Sequence, residues 1–194
     1  MSLHEKKDYP VKLGPWQKNS SKQAYENPWI EVFHEAVTSP GGSEGIYGRV
    51  HFKGQAVGIV PVDEEANTFL VKQYRYTLEE NSWEIPMGGC ARTEPTEAAA
   101  YRELEEETGL IAHQLIKLGD YHTSNSITDE KGCAYLALGL QKGMQQLEKT
   151  EADLEVLKLP LTEALDWIDQ GKITDCISVA ALLQAERFFH QHKL

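Results

Sequence analysis

The run Gly88 to Leu110, G-G-C-A-R-T-E-P-T-E-A-A-A-Y-R-E-L-E-E-E-T-G-L, constrains this chain more than any other stretch. Pro95 suits the first turn of a helix, where its missing N–H costs little, and Gly109 suits the residue just past a helix end. The helix so bracketed carries Glu103, Glu106 and Glu107 at i, i+3 and i+4, which places their carboxylates on one face. Glu105 points roughly the opposite way, and Tyr101, Leu104 and Thr108 form a stripe that can pack inward. Like charges at these spacings destabilise an isolated helix by about 0.2–0.5 kcal/mol per pair, so the cluster asks for a cation. Hard oxygen ligands favour Mg²⁺, or Mn²⁺ in its place. A plain solvated acidic face is the competing explanation.

The wider pattern decides between them. Gly88, Glu94, Arg102, Glu103, Leu104, Glu106, Glu107, Gly109 and Leu110 fill every specified place of G-x5-E-x7-R-E-U-x-E-E-x-G-U, where U is aliphatic. A chance match is on the order of one in ten million. The run resembles the motif of the Nudix family, which hydrolyses compounds made of a nucleoside diphosphate linked to another moiety. The resemblance implies an α/β fold, an α/β/α sandwich with a mixed sheet. It also implies metal ligands at Glu103, Glu106, Glu107 and the carbonyl of Met87, an orienting ion pair between Arg102 and Glu94, and a turn opened by Gly88. Glu106 and Arg102 thereby join the expected catalytic residues.

Composition narrows the surroundings of that motif. At 194 residues, 41% apolar and 25% charged, the chain can form one well-buried domain with a small extra lobe. No apolar stretch approaches the roughly 20 residues of a membrane span, and residues 1 to 20 lack a signal-peptide core, so a cytoplasmic protein without a membrane partner is expected. Cys90, Cys133 and Cys176 are widely separated and form no C-x-x-C pair, which argues against a zinc site or a disulfide framework. The formal charge of −11 opposes binding to nucleic acid. A small anionic substrate stays compatible, because a bound metal inverts the local charge.

Breakers Pro10, Gly14, Pro15 and Pro28 predict an irregular arm over residues 1 to 28. Trp29 to Val37 and Ile46 to Phe52 are β-rich and separated by a turn-rich link, which predicts a hairpin lobe. The expected division is 1–54 for arm, strands and dimerisation, and 55–194 for the hydrolase domain. Strands are predicted near Ala56–Val62, Thr68–Tyr74, Ile116–His122, Gly132–Leu140 and Leu154–Leu159, with late helices over Leu161–Gln170 and Thr174–His192.

Outside the motif, Gln73-Tyr74-Arg75-Tyr76 with Trp83-Glu84-Ile85-Pro86, and Gly171-Lys172-Ile173-Thr174-Asp175 with Ser178, resemble the ADP-ribose and nucleotide-sugar pyrophosphatase branch. That branch implies that Arg75 contacts substrate phosphate or ribose and that Glu84 assists in the site. It implies that Trp29 stacks on the nucleobase in a pocket shared with a partner subunit, hence a homodimer. The chain departs from the branch in carrying Asn125 and Ser126 where Ser-Pro-Gly is usual, so Asn125 is expected to read a sugar other than, or besides, the ribose of ADP-ribose. The general base of related enzymes lies on a late loop, here Gln145 to Asp153, with Glu151 nearest that role and Asp153 and Glu148 behind it.

The reading that results is Mg²⁺-dependent hydrolysis of the pyrophosphate bond of a small-molecule nucleotide sugar, giving a nucleoside monophosphate and a sugar phosphate. One rival is a hydrolase of nucleoside triphosphates or dinucleoside polyphosphates. Another is a non-catalytic sensor of nucleotide metabolites, against which the complete set of motif glutamates stands.

Overall fold

Residues 8–147 and 149–192 are described by a computed structural model. The chain divides into two compact units, one running to Gly54 and including Ser124–Glu130, the other formed by Gln55–Thr123 and the chain from Lys131 onward.

The first unit is a four-stranded antiparallel sheet of β1 (Val11–Leu13), β2 (Trp16–Glu26), β3 (Ile30–Thr38) and β4 (Glu44–Phe52), paired in chain order. The hairpin expected from the two β-rich runs is its β3–β4 half. The irregular arm is a correction: two strands occupy it. β2 is polar, and it is held by cross-strand bonds instead of an apolar face. Lys18 Nζ and Ser21 Oγ donate to Glu35 Oε1 at 2.6 and 3.0 Å, and Asn19 Nδ2 donates to Thr38 Oγ1 at 2.9 Å. Register shifts at Lys18/Ser20 and Gln23/Tyr25 break the alternation that would otherwise betray a strand. Ser124–Glu130 lies along β4, with Val50 N donating to Ile127 O at 3.0 Å and Asp129 N to Val50 O at 3.1 Å.

The second unit is built on β5 (Gly54–Pro61), β6 (Asn67–Arg75), β7 (Glu80–Glu84), β8 (Met87–Ala91), α1 (Thr96–Thr108), β9 (Leu110–Ile111), β10 (Gln114–His122), β11 (Lys131–Leu138), β12 (Gln141–Lys142), β13 (Glu155–Pro160), α2 (Leu161–Asp169) and α3 (Cys176–His192). One sheet runs β10-β11-β5-β8, with β11 and β5 parallel and β10 and β11 antiparallel. A second runs β13-β6-β7, antiparallel throughout. The near-continuous apolar run of β5 follows from burial on both faces. Val57 and Ile59 pack with Ala99, Ala100 and Leu104 of α1, whereas Val60 joins Ile85, Ile177, Ala181 and Leu182 in the core that holds α2 and α3. This is the mixed-sheet α/β sandwich expected. Among the described residues no helix is long and apolar enough to cross a membrane, and Cys90 and Cys133 are buried thiols.

Candidate active site

Helix α1 ends at Gly109, whose left-handed φ of 68° lets its N–H reach Glu105 O at 2.8 Å. Leu104 is fully buried beneath the helix, and Glu103 and Glu107 are buried beside it. Gly88 lies inside β8 and has no left-handed backbone. The turn expected at Gly88 is therefore corrected to a gap: a Cβ there would overlap the Glu103 carboxyl. The strand thus admits a carboxylate against its backbone.

Arg102 organises one side of the cluster. Its Nη1 donates to Glu103 Oε1 at 2.6 Å and Glu106 Oε2 at 2.9 Å, its Nη2 to Gly89 O at 3.0 Å, and its Nε to Glu94 Oε1 at 3.3 Å. Burial alone would lower its pKa, but the bonds to Glu94 and Glu103 and the charge of Glu103 hold it raised. Burial also raises the Glu103 carboxyl against the opposing Arg102 contact, and the charges of Glu106 and Glu151 add to the rise.

Glu107 is the anomaly. One oxygen accepts Met87 N–H at 2.9 Å, while Oε1 is buried without a hydrogen-bond partner among the described residues. Burial pushes its pKa up to about 8; the Met87 bond opposes this, the charges of Glu151 and Glu103 add to it, and Arg75 opposes it. An orphaned, buried carboxylate oxygen beside two more carboxylates is the donor set of a hard divalent cation. The residues present therefore fit Mg²⁺ or Mn²⁺. With Glu103 and Glu106 turned to Arg102, no three acidic, His or Cys side chains already converge on one point among the described residues.

Two further elements reach this cluster. Arg75, at the end of β6, forms a two-point ion pair with buried Glu84 at the end of β7, its Nε donating to Oε1 at 2.8 Å. That bond raises the guanidinium pKa against the cost of burial, helped by the charges of Glu84, Asp175 and Glu107. The loop after β12 is tied to the open carbonyls at the end of α1, where Gln146 N donates to Glu106 O at 2.9 Å and Gln145 Nε2 to Glu107 O at 2.6 Å. It leads into a 3₁₀ turn, Lys149–Glu151, and so returns Glu151 to where its charge acts on Glu103 and Glu107.

Arg75, Glu84, Met87, Arg102, Glu103, Glu106, Glu107 and Glu151 thus form one cluster in the second unit. Asp153 is exposed after the 3₁₀ turn, and Glu148 lies outside the described residues. Trp29 and Asn125 belong to the first unit, Trp29 being 72% exposed. Sequence reasoning missed the loop anchors Gln145 and Gln146, which carry no recognisable pattern. It placed Asp175 and Ser178 only as a resemblance to a C-terminal helix start, although Asp-x-x-Ser there is capping spacing.

The family described as NUDIX domain matches residues 52–175, and that described as nucleoside diphosphate sugar hydrolase N-terminal domain matches residues 16–50. An ADP-ribose pyrophosphatase of Mycobacterium tuberculosis is 35% identical over 169 residues, covering 84% of this chain and 80% of that protein. One from Bacillus subtilis is 32% identical over 165 residues, covering 84% and 88%. The methanol dehydrogenase activator of Bacillus methanolicus is 31% identical over 163 residues, with the same coverage. A solved structure described as an ADP compounds hydrolase superposes with a TM-score of 0.83 over 94% of this chain and 98% of that one; at 20% identity it speaks for the fold.

Proposed function

The chain belongs to the NUDIX domain family, and from that membership we propose that it hydrolyses the pyrophosphate bond of nucleoside diphosphate sugars, ADP-ribose among them, with Mg²⁺ or in its place Mn²⁺. The observation that carries the reading is the orphaned Glu107 oxygen among the acids of α1, facing the Arg75–Glu84 pair. Glu103, Glu106, Glu107 and the Met87 carbonyl would hold the metal, which when bound supplies charge neutralisation on the diphosphate and activation of water. Arg102 orients Glu103 and Glu106. Arg75, its guanidinium held by Glu84, binds a phosphate or ribose oxygen, and Glu151 accepts the proton of the attacking water. The products are a nucleoside monophosphate and a sugar phosphate. A cytoplasmic location accords with the buried thiols of Cys90 and Cys133.

The first unit gives the basis for a homodimer. Trp29, Ile46, Tyr25 and Trp16 are exposed on it, an apolar set that a second copy would cover. Trp29 would then serve a nucleobase and Asn125 the sugar. The test is a panel of nucleoside diphosphate sugars, with a nucleoside triphosphate and a dinucleoside polyphosphate as controls, assayed with Mg²⁺ and with product identification. Release of nucleoside monophosphate from the sugars alone supports the reading; preference for either control sinks it.

A further inference from the structure

Three successive backbone groups connect the Arg75–Glu84 pair to the acids of α1, and each is fixed by a different element. Ile85 N donates to Ser178 Oγ of α3 at 3.1 Å, Pro86 O accepts from Ile59 N of β5 at 2.8 Å, and Met87 N donates to Glu107 of α1 at 2.9 Å. Glu84, one residue earlier, holds Arg75. Proline has no N–H, so Ser178 is the last donor-side anchor before Met87. Its hydroxyl has a defined direction: Oγ donates to Asp175 Oδ2 at 2.8 Å, which leaves its lone pairs for Ile85. The same Asp175 oxygen caps α3 by accepting Ser178 N at 2.7 Å. Ser178 and Ile85 are both completely buried. Asp175 is also close enough for its charge to act on Arg75.

We infer that Ser178, oriented by Asp175, is a positioning residue that sets the Glu84–Met87 segment and thereby holds the substrate-binding arginine pair and the Met87 end of the metal cradle in one register. The inference rests on the function proposed above for those two ends. A plain helix cap would need only the Asp175 bond to Ser178 N; the bond that Ser178 Oγ accepts from Ile85 N, in the link between β7 and β8, is what exceeds it.

The test compares S178A, D175N and D175A in the full chain, well below their melting temperatures. The readouts are Mn²⁺ affinity, amide exchange at Ile85 and Met87, and KM and kcat for a nucleotide sugar. S178A is expected to weaken Mn²⁺ binding about tenfold, to speed exchange at both amides about tenfold, and to lower kcat. D175N retains an acceptor for the cap and the hydroxyl and is expected to stay within about twofold of the parent in Mn²⁺ affinity and exchange. If S178A lowers the melting temperature alone, with Mn²⁺ affinity and exchange unchanged, Ser178 is a packing group and the inference is overturned. Should S178A not fold, D175A decides: it keeps the hydroxyl but loses its orientation, and parental exchange and Mn²⁺ affinity in D175A would overturn the inference equally. A parent that binds Mn²⁺ yet cleaves no nucleotide sugar overturns the proposed function, and the exchange and Mn²⁺ readouts still decide the positioning role. A parent that neither binds Mn²⁺ nor turns over leaves exchange at Ile85 and Met87 to decide it alone.

Discussion

The first unit buries Glu35 and the second buries Glu107, and the two are treated in opposite ways. Glu35 in β3 receives Lys18 and Ser21 at one oxygen, with Arg49 Nε 3.5 Å away. Burial would raise its pKa, but those bonds and the Lys18 and Arg49 charges hold it below its ordinary value. Glu107 in α1 receives one backbone N–H, leaves an oxygen unpaired, and is pushed up to about 8. Glu35, compensated within its own sheet, is a structural element of that sheet, whereas Glu107, left uncompensated, is a group whose partner comes from outside the chain.

The comparison breaks most visibly in Glu107→Gln, which keeps volume and removes charge. Loss of about 4 kcal/mol of metal-dependent stabilisation is about a thousandfold in kcat, with the metal-free melting temperature unchanged or raised. Steady-state kinetics beside calorimetry check this, and retained turnover would place the metal elsewhere. Glu106→Gln is expected to match it in rate.

Glu35→Ala is expected to do the reverse, leaving kcat intact in the folded protein while costing about 2 kcal/mol of stability. That figure sits below the usual cost of a broken buried pair because Lys18 and Arg49 can reach water. Urea unfolding measures it.

Titration sharpens the contrast further. The folded pKa of Glu107 stands above its unfolded value of about 4.5, so between there and about 8 the metal-free folded state binds the extra proton. Stability of the metal-free protein therefore falls as pH rises through that window. Divalent cation must displace the proton, so its stabilising effect grows with pH. Melting curves in chelator and in Mg²⁺ at pH 5, 6, 7 and 8 are expected to diverge by a few degrees at the alkaline end; parallel curves would mean that Glu107 is not a ligand.

The smallest effect belongs to Glu105→Gln. Glu105 faces Met144 N at 3.4 Å, a contact glutamine retains, so activity and stability are expected to stay near the parent. Equal loss in Glu105→Gln and Glu107→Gln would mean that the carboxylate face of α1 is misassigned.

What the sequence showed of this molecule follows from where periodicity has physical cause. The α1 face was legible because helical geometry fixes i, i+3 and i+4, and β5 because burial on both sides makes its apolar run continuous. β2 was illegible because its cross-strand pairs are polar and its register shifts twice. The role of Gly88 was misread because a glycine needed for close approach looks the same in sequence as one needed for a turn. The ties from Gln145 and Gln146 to α1 were hidden because they use backbone carbonyls, which leave no residue signature.

Ser124–Glu130 has a consequence for how the chain is made. Its backbone completes a sheet edge belonging to strands synthesised some seventy residues earlier, since Val50 pairs with Ile127, Thr128 and Asp129. On a ribosome, β1 to β4 emerge first and must wait, with the β4 edge open, until much of the second unit has followed. The connection between the units is therefore made three times, after Gly54, after Thr123 and before Lys131. A chain cut at Gly54 would keep the stranded segment with the wrong half. Separately expressed halves would each display a row of unpaired backbone groups, and mixing them is a direct assay of how far that edge, and not the single covalent link at Gly54, governs assembly.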